Sequence, residues 1–150
     1  MVRAQESVMA KNTMYIDFGG IGGFGSINYS RQFYSIQKFD FEGHIGISTS
    51  KFKDFHAKFN PQIIIPFGLH TTFGNKHCIE FGIGSTYVNS VRANNNLDSE
   101  RFYTLNGNTT IGYKFRKKEG GLFFRAFYAP IFEEFKNIKH WGGLSFGYAF

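Results

Sequence analysis

The C-terminal stretch Trp141-Gly-Gly-Leu-Ser-Phe-Gly-Tyr-Ala-Phe150 alternates between large apolar and small residues. Leu144, Phe146, Tyr148 and Phe150 share one side of this alternation, and glycine, serine and alanine share the other. A repeat of two residues is the period of a β-strand whose two faces meet different surroundings. The stretch therefore predicts a strand with one large apolar face and one small, mostly polar face.

Seven further segments are strand-like. The alternation is regular at Phe39–Ser48 and at residues 78–87 and 105–115. It is less regular at residues 14–20, 25–33, 62–73 and 121–132. With about 9–11 residues each, such segments are long enough to cross a bilayer as tilted strands. The count of about eight predicts a closed antiparallel β-barrel with an up-and-down strand order.

The links between these segments alternate in length. Tight links are predicted at residues 34–38, 74–77 and 116–120, and longer polar links at residues 49–60, 89–101 and 133–140. The first link, residues 21–24, is short and rich in glycine. It has no lysine of the Walker type, so it predicts a tight hairpin rather than a phosphate-binding loop. Short turns at one rim and long loops at the other are typical of outer-membrane barrels.

The composition favours an all-β chain with one domain. Of the 150 residues, 20 are phenylalanine, 18 glycine and 8 tyrosine, which favour strands and turns over helices. No run of 18 apolar residues occurs, which excludes a transmembrane helix. The mean hydropathy of −0.25 is compatible with a membrane barrel, because only alternate residues face lipid. We expect a flexible N-terminal segment over residues 1–13 and a barrel over residues 14–150.

Side-chain size predicts which face of the barrel points outward. An eight-stranded barrel has an interior just wide enough for side chains to fill, and aromatic residues from every strand would overfill it. The other face carries mainly glycine, serine, threonine and asparagine, which suit a crowded polar lumen better than a water-facing surface. We therefore expect a transmembrane barrel whose aromatic face contacts lipid. Aromatic residues near the strand ends predict girdles at the membrane interfaces, with a ligand-binding stripe as the less common alternative; they are Tyr15, Tyr34, Phe73, Tyr87, Phe102, Tyr103, Trp141 and Phe150.

A few charged residues fall on the polar face of the predicted strands. They are Asp17, Glu42, Glu80, Lys114 and Arg125. Unpaired charges in a narrow core are energetically costly, and the two signs are nearly balanced here. We therefore predict a polar network of salt bridges that plugs the lumen. Pro130 also lies inside a predicted strand; because proline has no N–H, it predicts a barrel rim or a bulge.

The net charge of +6 raises nucleic acid as a partner, but the basic residues are scattered over loops and turns without an RNA-binding motif. We predict no nucleic-acid binding, because solvated loops and lipid head groups account for the charge. Cys78 is the single cysteine, so no intrachain disulfide can form. The first 13 residues lack the apolar core of a signal peptide. An exported protein with this start is expected to be a processed form.

No pattern in the sequence indicates a cofactor, a metal site or a catalytic centre. The five histidines are scattered, and the adjacent His77 and Cys78 would point to opposite faces of a strand, which prevents chelation of one ion. Some outer-membrane barrels modify lipid A with histidine, serine and acidic residues. Those residue types occur near the last predicted loop, at Glu133, Glu134, His140 and Ser145. They match no motif, and we expect no enzymatic activity.

The segment from Gly143 to Phe150 resembles the C-terminal β-signal that the assembly machinery of outer-membrane barrels reads. Phe150 matches its terminal aromatic residue and Tyr148 the hydrophobic residue two positions earlier, whereas Ser145 stands where glycine is common. Residues 12–20, 23–29 and 121–130 look like strands of small eight-stranded barrels from Bacteroidota. The resemblance implies a porin-like protein of the Gram-negative cell outer membrane, with the assembly machinery as its partner during biogenesis.

The expected function is a structural or accessory role for an integral outer-membrane barrel whose loops contact lipopolysaccharide or a partner protein. Two alternatives remain open at this point. One is a soluble, lipocalin-like carrier of a hydrophobic ligand, and the other is a lipid A-modifying barrel enzyme. A carrier would stay soluble without detergent, whereas a membrane barrel would aggregate.

Overall fold

The computed structural model describes residues 9–49, 51–53, 56, 58–93, 99–133 and 137–150. In this part of the chain, eight antiparallel strands pair in sequence order, and β8 pairs with β1 to close a barrel. The strands are β1 Asn12–Gly19, β2 Gly25–Ile36, β3 Phe39–Ser48, β4 Ile63–Gly74, β5 His77–Ala93, β6 Ser99–Arg116, β7 Gly121–Glu133 and β8 Asn137–Ala149. The predicted closed, up-and-down antiparallel barrel is confirmed. The described residues include no helix that is long and apolar enough to cross a membrane.

The predicted alternation sets the two faces of the barrel wall. In β1, Asp17 is fully buried, whereas its neighbours Ile16 and Phe18 are exposed on the outer surface. In β5, Glu80 is buried and Ile83 is 64% exposed. Because successive side chains of a strand point to opposite faces, every strand contributes one row to the interior and one row to the outside.

Several strands are longer than the sequence indicates. β5 and β6 continue into the predicted loop of residues 89–101, and their pairing runs to Ala93 opposite Ser99. β8 begins at Asn137 rather than near Trp141, and β1 begins at Asn12. A polar hairpin can extend beyond the wall because its backbone groups remain paired in the ladder. The hydropathy of the side chains does not reveal such an extension. Residues 1–8 of the predicted flexible segment lie outside the described residues.

Both described chain ends meet at one rim of the barrel. The backbone amide of Asn12 donates to the carbonyl oxygen of Phe150 at 2.9 Å, and the backbone amide of Phe150 donates to the carbonyl oxygen of Asn12 at 2.8 Å. The tight turns lie at the same rim, because each even-numbered strand ends where β1 begins. In the β2–β3 turn, only Gln37 and Lys38 separate the two strands. We call this the terminal rim, and the other end, where the β3–β4 and β5–β6 links lie, the loop rim.

The β1–β2 link does more than reverse the chain, because it folds into the mouth of the barrel. Ile21 is only 2% exposed and packs against Phe127 and Ala129. The Thr86 hydroxyl donates to the Ile21 carbonyl oxygen at 3.0 Å. Gly20, with φ of +84°, supports this tight path, which few other residues adopt. Ile21 therefore caps the interior at the loop rim.

Proline and one bulge interrupt the ladders. Pro130 pairs with His140 of β8, but the pairing of β6 with β7 lapses beside it, between Asn108 and Ile111. The register is the same on both sides of this gap, so Pro130 removes ladder contacts without forming the bulge that the sequence allowed. A register shift instead occurs in β2, between Gln32 and Tyr34.

Candidate functional site: an ion-paired barrel interior

Charged side chains from β1, β5, β6 and β7 form the first half of a chain of ion pairs inside the barrel. Arg125 places Nη2 3.2 Å from Asp17 Oδ1 and Nη1 3.1 Å from Glu80 Oε1. Lys114 Nζ lies 3.2 Å from Glu80 Oε2. All four side chains are buried. Each of the four strands supplies one of them from its inward-facing row, so they converge in the interior without any local sequence motif.

The chain of ion pairs continues toward the terminal rim through β3. Lys114 Nζ lies 2.7 Å from Glu42 Oε2, and Arg116 Nη1 lies 2.7 Å from Glu42 Oε1. Arg116 Nη2 is also 2.9 Å from Asp40 Oδ2. Cations and carboxylates thus alternate from Asp17 at one end to Asp40 at the other. We call these seven side chains the interior ion chain.

The structure brings the five charged residues singled out from the sequence into contact with one another, and adds two. Asp40 lies two residues before Glu42, and Arg116 two residues after Lys114, so each shares the inward side of its strand. Arg116 is assigned to a turn by the sequence analysis, but β6 extends to it. The alternation of β3 and β6 continues to Asp40 and Arg116, and this is the sequence signal that could have identified both residues.

Neutral side chains add hydrogen bonds at both ends of the ion chain, although Arg116 Nε has no hydrogen-bond partner among the described residues. Ser145 Oγ donates to Asp17 and accepts from Arg125 Nε at 2.9 Å. At the other end, Gln32 Nε2 and Ser35 Oγ donate to Asp40 Oδ1 at 3.1 and 2.6 Å. The free-energy cost of removing an ion pair from water is offset only when additional hydrogen bonds satisfy the remaining N–H groups and oxygen lone pairs. The network therefore depends on its serine and glutamine neighbours.

Two histidines stack beside the ion chain. The rings of His44 and His70 have centroids 4.2 Å apart, and His70 Nδ1 is 3.6 Å from Glu80 Oε1. Neither ring nitrogen of His44 has a hydrogen-bond partner among the described residues. The histidines are scattered in the sequence, and cross-strand register alone brings this pair together. His77 and Cys78 do point apart, with His77 exposed and Cys78 buried.

The assignment of aromatic side chains to the outer face needs a correction. Tyr15, predicted for an interfacial girdle, is buried in the interior together with Phe123 and Phe127. The Arg125 guanidinium carbon lies 4.1 Å from the Phe127 ring centroid and 5.1 Å from that of Tyr15, which are cation–π contacts. A few rings are accommodated because facing glycines leave space, and a Cβ on Gly143 would collide with Phe127.

The remaining aromatic and aliphatic residues cover the outside. Phe146 and Tyr148 are 50% and 57% exposed. Ser145, which precedes Phe146 in β8, instead faces the ion chain. Phe150, the other predicted assembly-signal residue, is also exposed and ends the chain beside Asn12. Apart from Tyr15, the side chains of the predicted girdles are exposed or only partly buried.

The residues considered for lipid A chemistry do not meet. Ser145 points into the barrel, bonded to Asp17 and Arg125. His140 is exposed on the outer face, where its Nδ1 pairs with the Tyr128 hydroxyl. Glu134 lies outside the described residues. The serine and the histidine are thus on opposite sides of the barrel wall.

No protein-family model matches the chain, and no curated protein matches it significantly in sequence. One solved structure is similar, the crystal structure of the N-terminal beta-barrel domain of Pseudomonas aeruginosa OprF. The match has a TM-score of 0.64 and 13% sequence identity, and covers 95% of this chain and 98% of that chain. At this identity, the similarity establishes the fold.

Proposed function

We propose that this protein is an integral barrel of the Gram-negative outer membrane with a structural or accessory, non-enzymatic role. The observation that carries the proposal is the inverted polarity of the barrel. Its largest fully buried side chains include Arg116, Arg125, Glu42 and Glu80. Its outer surface is covered by exposed phenylalanine, isoleucine, leucine and tyrosine side chains from every strand. A soluble protein normally has the reverse arrangement, since large apolar patches in water drive association.

The charged interior argues against a lipocalin-like carrier. Such a carrier needs an apolar cavity for its ligand, whereas Lys114, Arg116 and Arg125 lie in the interior of this barrel with their carboxylate partners. A carrier would also need a water-compatible outer surface. The similar fold of the OprF barrel domain supports the membrane interpretation.

We further propose that the interior is a plug rather than a pore. Eight strands enclose a space that side chains can fill, and the ion chain and the Ile21 cap occupy it along its length. With the interior filled, contacts with other molecules are made by the outer parts of the barrel. These are the loops, for lipopolysaccharide or a partner protein, and the Tyr148–Phe150 end, for the assembly machinery.

The test is the solubility and folding of the purified chain. We expect it to aggregate in buffer, and to fold in detergent micelles or lipid vesicles into a form that migrates differently on gels with and without heating. Flotation of folded protein with vesicles would support insertion. A monodisperse, folded chain in buffer without detergent, especially one that binds a hydrophobic dye in its interior, would overturn the proposal.

A further inference from the structure

A groove on the outer face at the terminal rim lies beside the β2–β3 and β4–β5 turns. Its volume is about 320 Å³, and the exposed side chains of Lys38, Asn75 and His77 are among those that line it. The backbone amide of Gly74 donates to the Lys38 carbonyl oxygen at 3.0 Å, so the two turns are held side by side. We call this space the terminal-rim groove.

A row of apolar side chains borders the groove on the side toward the middle of the barrel. Phe39, Phe73, Ile79 and Tyr113 are successive cross-strand partners on β3, β4, β5 and β6, and all four are exposed on the outer face. Residues that lie opposite each other in an antiparallel pair share one face of the sheet, so this row is continuous. Phe73, Ile79 and Tyr113 also line the groove itself. The groove therefore has an apolar wall that continues into the outer surface.

His77 and Tyr113 together supply a hydrogen-bond donor in the groove. His77 Nδ1 lies 2.6 Å from the Tyr113 hydroxyl oxygen, and the imidazole packs on Phe115 with ring centroids 5.3 Å apart. A neutral histidine has one N–H and a tyrosine has one O–H, and the hydrogen bond between them uses only one of these two hydrogens. Whichever atom donates, the pair therefore has a second hydrogen for a ligand. The Lys38 ammonium adds further donors and a positive charge.

The carboxylates nearest to the groove in the sequence do not neutralise this charge. Asp40 and Glu42 are the acidic residues closest to Lys38, but both are buried in the interior, where Arg116 pairs with each of them. Glu80, which follows the groove in β5, is buried as well. No acidic residue is among the described residues that line the groove. A cation and neutral donors beside an apolar wall suit an anionic amphiphile, because lysine attracts anionic head groups while its stem covers apolar surface.

We propose that the terminal-rim groove binds the phosphate group of a phospholipid in the leaflet at that rim. Lys38 and the His77–Tyr113 pair bind the phosphate oxygens, and an acyl chain of the same molecule lies along Phe73 and Ile79. The inference rests on the proposed membrane insertion. A lipid is favoured over a soluble phosphate because the apolar row would otherwise stay uncovered. It is favoured over a protein partner because this row belongs to the outer face that meets lipid.

The test uses the full chain folded in micelles of a neutral detergent and counts the bound lipid molecules by native mass spectrometry. Lys38→Gln/His77→Gln removes the cation and the imidazole of the groove. The control is Lys117→Gln/His140→Gln, which removes an exposed turn lysine and an imidazole that also pairs with a tyrosine, Tyr128. The probes are phosphatidylglycerol, diacylglycerol with the same acyl chains, and glycerol 3-phosphate. Lys38→Gln alone serves if the double variant does not fold.

We expect phosphatidylglycerol to bind the wild type saturably. The groove variant should weaken this binding by at least about tenfold at low salt, whereas the control variant should stay within about twofold. Lys38→Gln alone should weaken it by at least about threefold. Diacylglycerol lacks the phosphate and glycerol 3-phosphate lacks the acyl chains, so each should bind the wild type at least about tenfold more weakly than phosphatidylglycerol.

Several results would overturn the proposal. They are equal losses in the two double variants, no loss in either, absence of saturable phosphatidylglycerol binding, and binding of diacylglycerol or glycerol 3-phosphate as tight as that of the intact lipid. Failure of the wild type to fold in micelles or vesicles would instead refute the membrane function, and this inference with it.

Discussion

Arg125 of β7 and Glu80 of β5 are joined across the barrel interior by an ion pair of 3.1 Å, although their strands are not neighbours in the sheet. The contact therefore stabilises the closed shape of the barrel rather than one hairpin. Arg125 also reaches Asp17 of β1 at 3.2 Å. Arg125 Nε also donates to Ser145 of β8 at 2.9 Å. A single guanidinium thus links four strands, which makes it the natural position at which to test the interior.

Arg125→Met should destabilise the folded barrel by about 3–5 kcal/mol, because it leaves the buried Asp17 carboxylate without a cation and Glu80 with Lys114 alone. The measurement is urea unfolding in micelles, followed by the loss of the folded gel band. Lys139→Met is the control, since its pair with Glu133 is largely exposed and should contribute at most about 1 kcal/mol. Similar losses for the two variants would show that the ion chain has no special role in stability.

Ile83→Arg tests which face meets lipid. If Ile83 lies near the bilayer midplane, the substitution should cost about 2–4 kcal/mol in a membrane, and Tyr103→Arg, nearer the loop rim, about 0–1 kcal/mol. Both side chains are more than half exposed, at 64% and 61%, so neither change disturbs the interior. The free energy of unfolding in lipid vesicles distinguishes them. If Ile83→Arg is tolerated as well as Tyr103→Arg, the outer face does not contact lipid.

The filled interior predicts that the reconstituted barrel has no stable, large conductance. Ions would have to displace Arg116, Lys114 and Glu42, which are in direct contact along the lumen. Planar bilayer recordings at neutral pH provide the measurement, with a known porin as the positive control. A persistent channel of porin size would mean that the interior opens or that several copies form a larger pore.

Phe150→Ala separates assembly in cells from intrinsic stability. An exposed aromatic side chain contributes only a few kcal/mol of burial at most, so refolding into detergent should be nearly unchanged. In cells, the yield of folded barrel should fall much more if the assembly machinery reads the C-terminal residue. Phe146→Ala, on the same outward face but inside β8, is the matched control. Equal folded yields of wild type and Phe150→Ala in cells would contradict the assembly-signal interpretation.

Alternation along single segments was enough to predict the strands, their number and the two faces of the wall. It also identified Asp17, Glu42, Glu80, Lys114 and Arg125, because a charge in phase with glycine and serine must point inward on any strand. These properties are local, since each depends only on the residues two positions before and after. The sequence alone therefore determined an antiparallel barrel of about eight strands with a charged lumen.

Only the tertiary structure decided how residues meet across strands. The stacking of His44 on His70, the placement of Tyr15 between Arg125 and Phe123, and the entry of Ile21 into the barrel mouth all depend on register and closure. A shift of one residue in any pairing would separate these groups without altering the alternation of any single strand. A tight turn sets the register of its own hairpin, but the pairing of β1 with β8 and the contacts across the interior form only when all eight strands close, and so the local pattern cannot specify them.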